Sequence, residues 1–215
     1  MFIDLHMHEK TYSLDSFLAL EEMVNIAKSR GLDGICITDH DSMGLKEYAA
    51  EYSRKVNYPI FVGIEYFSLE GDIVAFGIEE YPKERIPAQE FIDLVKLQGG
   101  MCFSAHPFRN NNRGLGENLN RISGLDGVEV LNGSTSREAN LEAVRHANGL
   151  NLIPVGVSDC HVRDKVGVYA TYFPETVSSL DELIRVFKEG GVKPAYYDKG
   201  GYHIWDMNQK IAGNV

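Results

Sequence analysis

Short apolar runs alternate with longer segments of helical periodicity along most of this chain. In the first helical segment, apolar side chains at Leu20, Met23, Val24 and Ala27 fall on one face with the i, i+3, i+4, i+7 spacing. The pattern predicts helices over residues 17–30, 44–54, 88–98, 137–148 and 179–189. It predicts strands over residues 1–5, 34–38, 59–64, 73–76, 101–105, 127–131, 152–157 and 168–173.

The alternation of strands and helices predicts the fold class. Repeated strand–helix–strand units form parallel sheets with helices packed outside. The chain lacks a glycine-rich dinucleotide fingerprint, which favours a barrel over a doubly wound sheet, and its 215 residues fall short of the roughly 250 of an eightfold barrel. We therefore expect an α/β protein with a distorted or seven-stranded, TIM-barrel-like fold. We expect a single domain over residues 1–215, with residues 196–215 as a less regular C-terminal tail.

Composition and charge narrow the classes of partner. Hydrophobic residues make up 44% of the chain and charged residues 24%, as in an ordinary globular protein with an apolar core. The formal net charge of −10 disfavours tight binding of duplex nucleic acid, which needs many cationic contacts to phosphate. A small phosphorylated substrate is compatible with this charge, because bound divalent cations reverse the local field.

Cysteine usage and hydropathy bear on location. Cys36, Cys102 and Cys160 have no paired spacing, and their odd number predicts reduced thiols and a cytoplasmic location. Apolar runs in the sequence are too short to cross a bilayer, so we expect no membrane partner.

Five of the seven histidines lie where an apolar run ends. His6 and His8 are two positions apart on a predicted strand, so both imidazoles point to one face. Asp159 and His161 repeat this spacing after another strand. In a parallel barrel both pairs open at the carboxyl-terminal rim, where imidazoles and carboxylates together bind metal ions. The paired spacing therefore predicts a metal site, although an isolated His-x-His is more often a pair of surface or hydrogen-bonded histidines.

Further metal-binding candidates follow other apolar runs. Glu65 and His106 each come directly after a predicted strand. His40 lies between Asp39 and Asp41, and one of these carboxylates can orient a ligating imidazole. The alternative is a polar strand-to-helix turn in which Asp41 or Ser42 caps the next helix.

Four more polar residues have less specific surroundings. Asp15 follows the first histidine pair and is interpreted either as a ligand or as the N-cap of the next helix. Glu129 lies near the end of a predicted strand and is a weaker candidate. His146 is interpreted as a surface residue of a helix, and His203 as part of the packing of the tail.

In chain order, the motifs are Asp4-Leu5-His6-Met7-His8, Asp15, Thr38-Asp39-His40-Asp41, Gly63-Ile64-Glu65, Ala105-His106-Pro107 and Ser158-Asp159-Cys160-His161. Together they resemble the motifs of the PHP (polymerase and histidinol phosphatase) superfamily of metal-dependent phosphoesterases, in that family's order. The resemblance extends from residue 1 to about residue 165, which is most of the chain. It implies a distorted (β/α)7 barrel with a two- or three-metal site at the C-terminal rim.

Position by position, the resemblance implies eight metal ligands. They are His6, His8, Asp15, His40, Glu65, His106, Asp159 and His161. Many small phosphoesterases of this family carry another histidine in the strand after the glutamate, where this chain reads Asp72-Ile73-Val74-Ala75-Phe76-Gly77. This departure leaves open whether two or three ions bind. Mixed imidazole and carboxylate ligands suit Zn, Mn or Fe(II).

The ligands and the resemblance together predict hydrolysis of a small phosphomonoester or a nucleotide phosphodiester by a metal-activated water. The candidate catalytic residues are Asp15, His40, His106 and Arg109. Arg109 is the first choice for binding phosphate in a bidentate fork, and Arg137 and Arg113 are the next choices. Two alternatives remain, a metal-dependent hydrolase of the amidohydrolase type and a non-catalytic module that binds phosphorylated ligands.

Overall fold

A computed structural model describes residues 1–207 of the chain, which adopt a mixed α/β fold. The helices of this range are α1 (Leu20–Ser29), α2 (Lys46–Val56), α3 (Ala88–Leu97), α4 (Arg137–Leu150) and α5 (Leu180–Glu189). Its strands are β1 (Phe2–Asp4), β2 (Gly34–Ile37), β3 (Ile60–Val62), β4 (Ile64–Phe67), β5 (Asp72–Phe76), β6 (Met101–Ser104), β7 (Gly127–Asn132), β8 (Ile153–Val157), β9 (Tyr169–Tyr172), β10 (Lys193–Asp198) and β11 (Gly201–Ile204).

The strands form two sheets. One contains six strands in the order β11-β10-β9-β1-β2-β3, and the other contains five in the order β4-β5-β6-β7-β8. Only Gly63 separates β3 from β4, and a Cβ atom on this residue would lie 2.5 Å from the carbonyl oxygen of Ala75. The absence of a side chain thus allows the chain to pass directly from one sheet into the other.

The α/β class is confirmed, but a closed (β/α)7 barrel is not. Among the strands given above, extended parallel pairing is limited to β1-β2-β3 and β6-β7-β8, apart from the isolated parallel bridges Met7–Cys160 and His40–Glu65. β4, β5 and β6 pair antiparallel, as do β1 and β9, β9 and β10, and β10 and β11. The connection from β4 to β5 is a short turn over residues 68–71, which allows a hairpin but leaves no room for the crossover helix that a parallel pair requires.

Each of the five predicted helices is present, with small shifts at the ends. Ser136 and Ser179 accept hydrogen bonds from the third residue of α4 and of α5, which fixes where these helices begin. α1 begins at Leu20 rather than at residue 17, because the backbone before Leu20 makes a hydrogen bond outside the helix. Phe17 donates its backbone N–H to the carbonyl of His161, which ties the loop before α1 to the loop after β8.

The C-terminal region contains a hairpin that the sequence pattern did not predict. β10 and β11 pair antiparallel and extend the first sheet, so residues 196–204 of the predicted irregular tail are largely regular. The remainder of the predicted tail, residues 208–215, lies outside the described residues. None of the helices in the described range has the length and apolar character needed to cross a bilayer.

The core beneath the carboxyl ends of the parallel strands is aromatic and aliphatic. Phe103 on β6 is fully buried, and its ring centre lies 6.0 Å from that of Phe187 on α5 and 6.4 Å from that of Phe76 on β5. Ile3, Leu5, Val155 and Val157 from β1, β8 and their flanks belong to the same apolar cluster. This packing fixes the ends of these strands relative to one another.

Replacing Phe103 with alanine is expected to lower the free energy of unfolding by about 3–5 kcal/mol, because it leaves a cavity in a fully buried cluster. Urea denaturation followed by circular dichroism measures the change. Leu97→Ala is the matched control, since Leu97 is 88% exposed and should change stability by less than about 0.5 kcal/mol. Equal losses in the two variants would contradict the assignment of the core.

Candidate metal centre

Two strand ends, those of β1 and β8, are joined directly at the predicted rim. Past the end of β1, His6 accepts a backbone hydrogen bond from Asp159 (2.8 Å), and His8 donates one to Cys160 (3.2 Å). Met7 and Cys160 form an isolated parallel bridge. Because side chains alternate along both segments, the pairs His6/His8 and Asp159/His161 are brought to the same place.

The first group of donors is His6, His8 and Asp159, and all three are buried. The Nε2 atoms of His6 and His8 are 2.9 Å apart. Oδ1 of Asp159 lies 3.2 Å from Nε2 of His8 and 3.6 Å from Nε2 of His6. Three ligand atoms therefore face one point, as the histidine spacing predicts.

The second group, His8, His40 and His161, lies at the mouth of the site. The ring of His8 lies between the other two, with centre-to-centre distances of 4.3 Å to His40 and 4.2 Å to His161. Asp15 adds a carboxylate, since its Oδ2 lies 3.2 Å from Nε2 of His40 and 3.4 Å from Nε2 of His161. The side chain of Asp15 is 61% exposed, so this group faces solvent.

The third group contains a residue that the sequence pattern missed. Nε2 of His106 lies 2.8 Å from Oε1 of Glu65 and 3.7 Å from Oδ2 of Asp72, and all three side chains are buried. Asp72 starts an apolar run instead of ending one, so a search of strand ends passes over it. β5 runs antiparallel to β6, and the start of β5 therefore lies at the same rim as the end of β6.

Glu65 connects the three groups. Its Oε1 lies 3.4 Å from Nε2 of His6, and its Oε2 lies 3.5 Å from Nε2 of His8 and 2.6 Å from Nδ1 of His40. Together with the contact to His106, this central carboxylate reaches four imidazoles. Glu65 therefore contacts ligand atoms of all three groups.

Glu129 holds other members of the centre in position. Its Oε1 accepts a hydrogen bond from Nδ1 of His6 (2.6 Å), which leaves Nε2 of that ring free to bind a metal. Its Oε2 accepts hydrogen bonds from the backbone N–H of His106 (2.6 Å) and from Nδ2 of Asn132 (2.7 Å). A carboxylate on the far nitrogen of a metal-binding histidine fixes the ring and its tautomer. Sequence reasoning found Glu129 only as a weak ligand candidate and did not find Asn132.

His8 is oriented in a similar way. Its Nδ1 lies 3.1 Å from Oγ of Ser13, whose hydroxyl donates a hydrogen bond to Oδ1 of Asp39 (2.8 Å). Asp39 thus orients His8, a residue of the preceding motif, through Ser13. The carboxylate of Asp41 instead accepts the backbone N–H of Phe67 (2.9 Å).

Arg109 lies at the edge of the first group. It pairs with the carboxylate of Asp159 and donates hydrogen bonds to Oδ1 of Asn132 (2.9 Å) and Oγ1 of Thr135 (2.9 Å). The guanidinium is therefore anchored, with 19% of the side chain exposed. Of the three arginines considered for phosphate binding, Arg113 contacts Asp72, whereas Arg137 is exposed at the start of α4.

The carboxylates determine the charge of the buried histidines. Burial lowers the pKa of His6, but Asp159, Glu129 and Glu65 outweigh burial and hold this pKa well above its usual value. Burial lowers the pKa of His8 to about 3, so its imidazole is neutral and offers a lone pair. Burial raises the pKa values of Glu65 and Asp159, but neighbouring cationic groups, His6 first, hold both well below the usual range. Glu65 and Asp159 are therefore ionised and require positive charge beside them.

Three potential ligand atoms lack a hydrogen-bond partner, which also fits a bound cation. His40 Nδ1 and Glu65 Oε2 are 2.6 Å apart, yet neither atom has a hydrogen-bond partner, and Nδ1 of His106 has none either. A buried polar atom without a partner is costly. Neutral imidazole and ionised carboxylate are the ligands that Zn, Mn and Fe(II) accept, so these residues suit a divalent ion.

Two of the predicted ligands have unusual backbone conformations. His106 has φ +26° and Asp159 has φ +49°, which lie in the left-handed region that non-glycine residues rarely adopt. Gly114 packs against the first of these residues, and a Cβ atom there would lie 2.6 Å from the carbonyl oxygen of His106. Such strain is typical of functional sites, where it aims a side chain.

The other two histidines lie apart from these groups. His146 is on α4, where its Nδ1 contacts the carbonyl of Glu142 and its ring lies 4.5 Å from that of Phe108. His203 is on β11, and its ring stacks on Tyr196 at 5.5 Å. His203 thus packs within the C-terminal hairpin, as the sequence predicts, whereas the His146 side chain is only 16% exposed and is more buried than its interpretation as a surface residue predicts.

The sequence profile of the PHP domain matches residues 4–192 of the chain. The chain belongs to the PHP family. The matched region includes each of the three donor groups described above. Among curated proteins, the uncharacterised protein MJ1587 of Methanocaldococcus jannaschii is 27% identical over 141 residues, which cover 61% of this PHP protein and 82% of the relative.

Several solved structures share the fold at low sequence identity. A protein from Bifidobacterium adolescentis, for which metal-dependent phosphoesterase activity is proposed, is 19% identical with a TM-score of 0.65 and covers 87% of this chain and 96% of its own. PsfC from Pseudomonas syringae is 18% identical with a TM-score of 0.68 and covers 93% of each chain. The lesion-specific endonuclease EndoQ of Pyrococcus furiosus is 15% identical with a TM-score of 0.63, and the match covers 90% of this chain and 57% of the endonuclease. These likenesses show the fold of this PHP protein.

In this PHP protein, Glu129→Gln is expected to weaken metal binding by about 10- to 100-fold, because an amide cannot accept hydrogen bonds from all three donors that Glu129 serves. Isothermal titration with Mn²⁺ measures the dissociation constant. Glu138→Gln removes an exposed carboxylate from α4 and should leave the constant unchanged. Equal affinity in Glu129→Gln and the wild type would show that Glu129 does not position the ligands.

Proposed function

We propose that this PHP protein is a metal-dependent phosphoesterase that hydrolyses a small phosphomonoester or a nucleotide phosphodiester. The observation that supports this proposal most strongly is the convergence of donor groups from distant parts of the chain on Glu65, with an anchored arginine beside them. Family membership agrees with this chemistry. The proposed ligands are His6, His8, Asp15, His40, Glu65, His106, Asp159 and His161.

When bound, two or three Zn, Mn or Fe ions supply an acidified water and neutralise charge on the phosphoryl oxygens. The residues of the chain hold the substrate in place for this chemistry. Arg109 holds its guanidinium beside Asp159, and its Nη1, which takes no part in the bonds to Thr135, Asn132 and Asp159, can bind a phosphoryl oxygen without breaking them. Preorganised positive charge of this kind is a major source of catalysis in phosphoryl transfer.

The mouth of the site suits proton transfer from the attacking water. Asp15 is the most exposed of the proposed carboxylate ligands, and its Oδ2 faces both His40 and His161. Burial raises the pKa of Asp15, but His40 and His161 outweigh burial and lower it, so the ionised Oδ2 is placed to accept a proton. His106 is 2% exposed, so we assign it to metal binding and not to direct contact with substrate.

The test is turnover of p-nitrophenyl phosphate, sugar phosphates, nucleotides and nucleotide phosphodiesters by protein reconstituted separately with Mn, Zn or Fe(II). We expect turnover of at least one phosphate ester. We expect Arg109→Ala to lower kcat/KM by roughly 100-fold, because it removes a fixed cation from the charged transition state. Arg137→Ala is the matched control and should retain activity within about twofold, since an exposed arginine away from the groups contributes little. Activity on amide substrates without activity on phosphates would contradict the proposal.

A further inference from the structure

Arg113 is bound at the third donor group. Its Nε donates a hydrogen bond to Oδ2 of Asp72 (2.6 Å) and its Nη2 donates one to Oδ1 (2.9 Å), so both carboxylate oxygens are engaged by one guanidinium. The side chain of Asp72 is fully buried. A buried carboxylate needs a compensating charge, and the bidentate fork of arginine provides it with fixed geometry.

The backbone holds Arg113 in this position independently of its side chain. The backbone N–H of Asp72 donates a hydrogen bond to the carbonyl of Arg113 (2.6 Å). Gly71 lies so close to the loop at 113–115 that a Cβ atom would come within 2.6 Å of its backbone. The start of β5 and this loop are therefore fixed to each other, and the guanidinium also lies 4.4 Å from the ring centre of Phe67. Both the backbone and the side chain of Arg113 are therefore held in place at the rim.

A divalent ion at the third group would need the same carboxylate. Oδ2 of Asp72, which faces His106 at 3.7 Å, is the oxygen that accepts the Nε–H of Arg113. An ion there would also lie beside a permanent positive charge, since arginine does not lose its proton in proteins. In the first group, by contrast, Arg109 engages Oδ2 of Asp159 and not Oδ1, the oxygen that faces His6 and His8. Of the carboxylates in these groups, only Asp72 has both oxygens engaged by one arginine.

We infer that Arg113 takes the place of a third metal ion, so that the centre holds two divalent ions and one guanidinium. One ion belongs to the His6/His8/Asp159 group and the other lies between His40, His161 and Asp15, because His8 has one ring nitrogen available and can bind only one ion. Glu65 is shared, and the Asp72 side is neutralised by arginine. This inference rests on the proposed metal centre and specifies its composition: of the eight proposed ligands, His106 then positions the shared Glu65 instead of binding an ion. It also gives Asp72, which the sequence pattern missed, the role of holding that guanidinium.

The test is metal content by elemental analysis after equilibrium dialysis of the full chain against Mn²⁺ and, separately, Zn²⁺. We expect two ions per chain in the wild type and three in Arg113→Met, which keeps the length of the side chain but removes its charge. The double variant Arg113→Met/Asp72→Asn should return to two, because the freed carboxylate is lost. Arg85→Met is the matched control, since Arg85 lies 3.6 Å from the centre of the same Phe67 ring but has no contact with Asp72, and it should bind two.

Three ions in the wild type would overturn the inference, even if Arg113→Met failed to fold. Two ions in a folded Arg113→Met protein would also overturn it, because removal of the arginine would then have opened no site. The proposed activity fails separately: two ions without turnover of any phosphate ester would contradict the phosphoesterase function and leave the count intact. A wild type without bound metal would overturn both.

Discussion

The rest of the structure depends on the concentration of negative charge in one buried place. Glu65, Asp72, Glu129 and Asp159 are all inaccessible or nearly so, and they surround the same imidazoles. In a medium of low dielectric, carboxylates this close repel one another unless cations lie between them. Protonated histidine and arginine neutralise part of this negative charge in the protein alone, and in the proposed centre divalent ions neutralise the rest.

The fold makes this arrangement possible by fixing strand ends. The segments that follow β1 and β8 are hydrogen-bonded to each other, so the pairs His6/His8 and Asp159/His161 approach across the gap between the sheets. The aromatic cluster around Phe103 lies under this junction. Left-handed backbone at His106 and Asp159 shows that local strain is accepted in return for the direction of these side chains.

The sequence predicted much of this because hydrophobic periodicity and paired spacing are local signals. Helix positions and most strands could be found by this means, whereas the full set of eight proposed ligands came from the resemblance to the PHP family. Seven of the eight lie in the donor groups, and Asp15 contacts two of these seven. The two-sheet arrangement could not be predicted from these local signals, because strand direction depends on which segments pair. Asp72 was missed for the same reason, since only the antiparallel pairing of β5 with β6 brings its start to the rim. Glu129 and Arg113 act through contacts 123 and 41 residues away in sequence, which periodicity does not encode.

The central claim is that separate strand ends bind a cluster of divalent ions. The most direct test is a crystal structure of the protein grown with Mn²⁺, with anomalous difference maps collected at the manganese edge. The account predicts one strong peak within the His6/His8/Asp159 group and one between His40, His161 and Asp15, both in contact with Glu65. Anomalous density only at exposed surface carboxylates, with both groups free of metal, would contradict it.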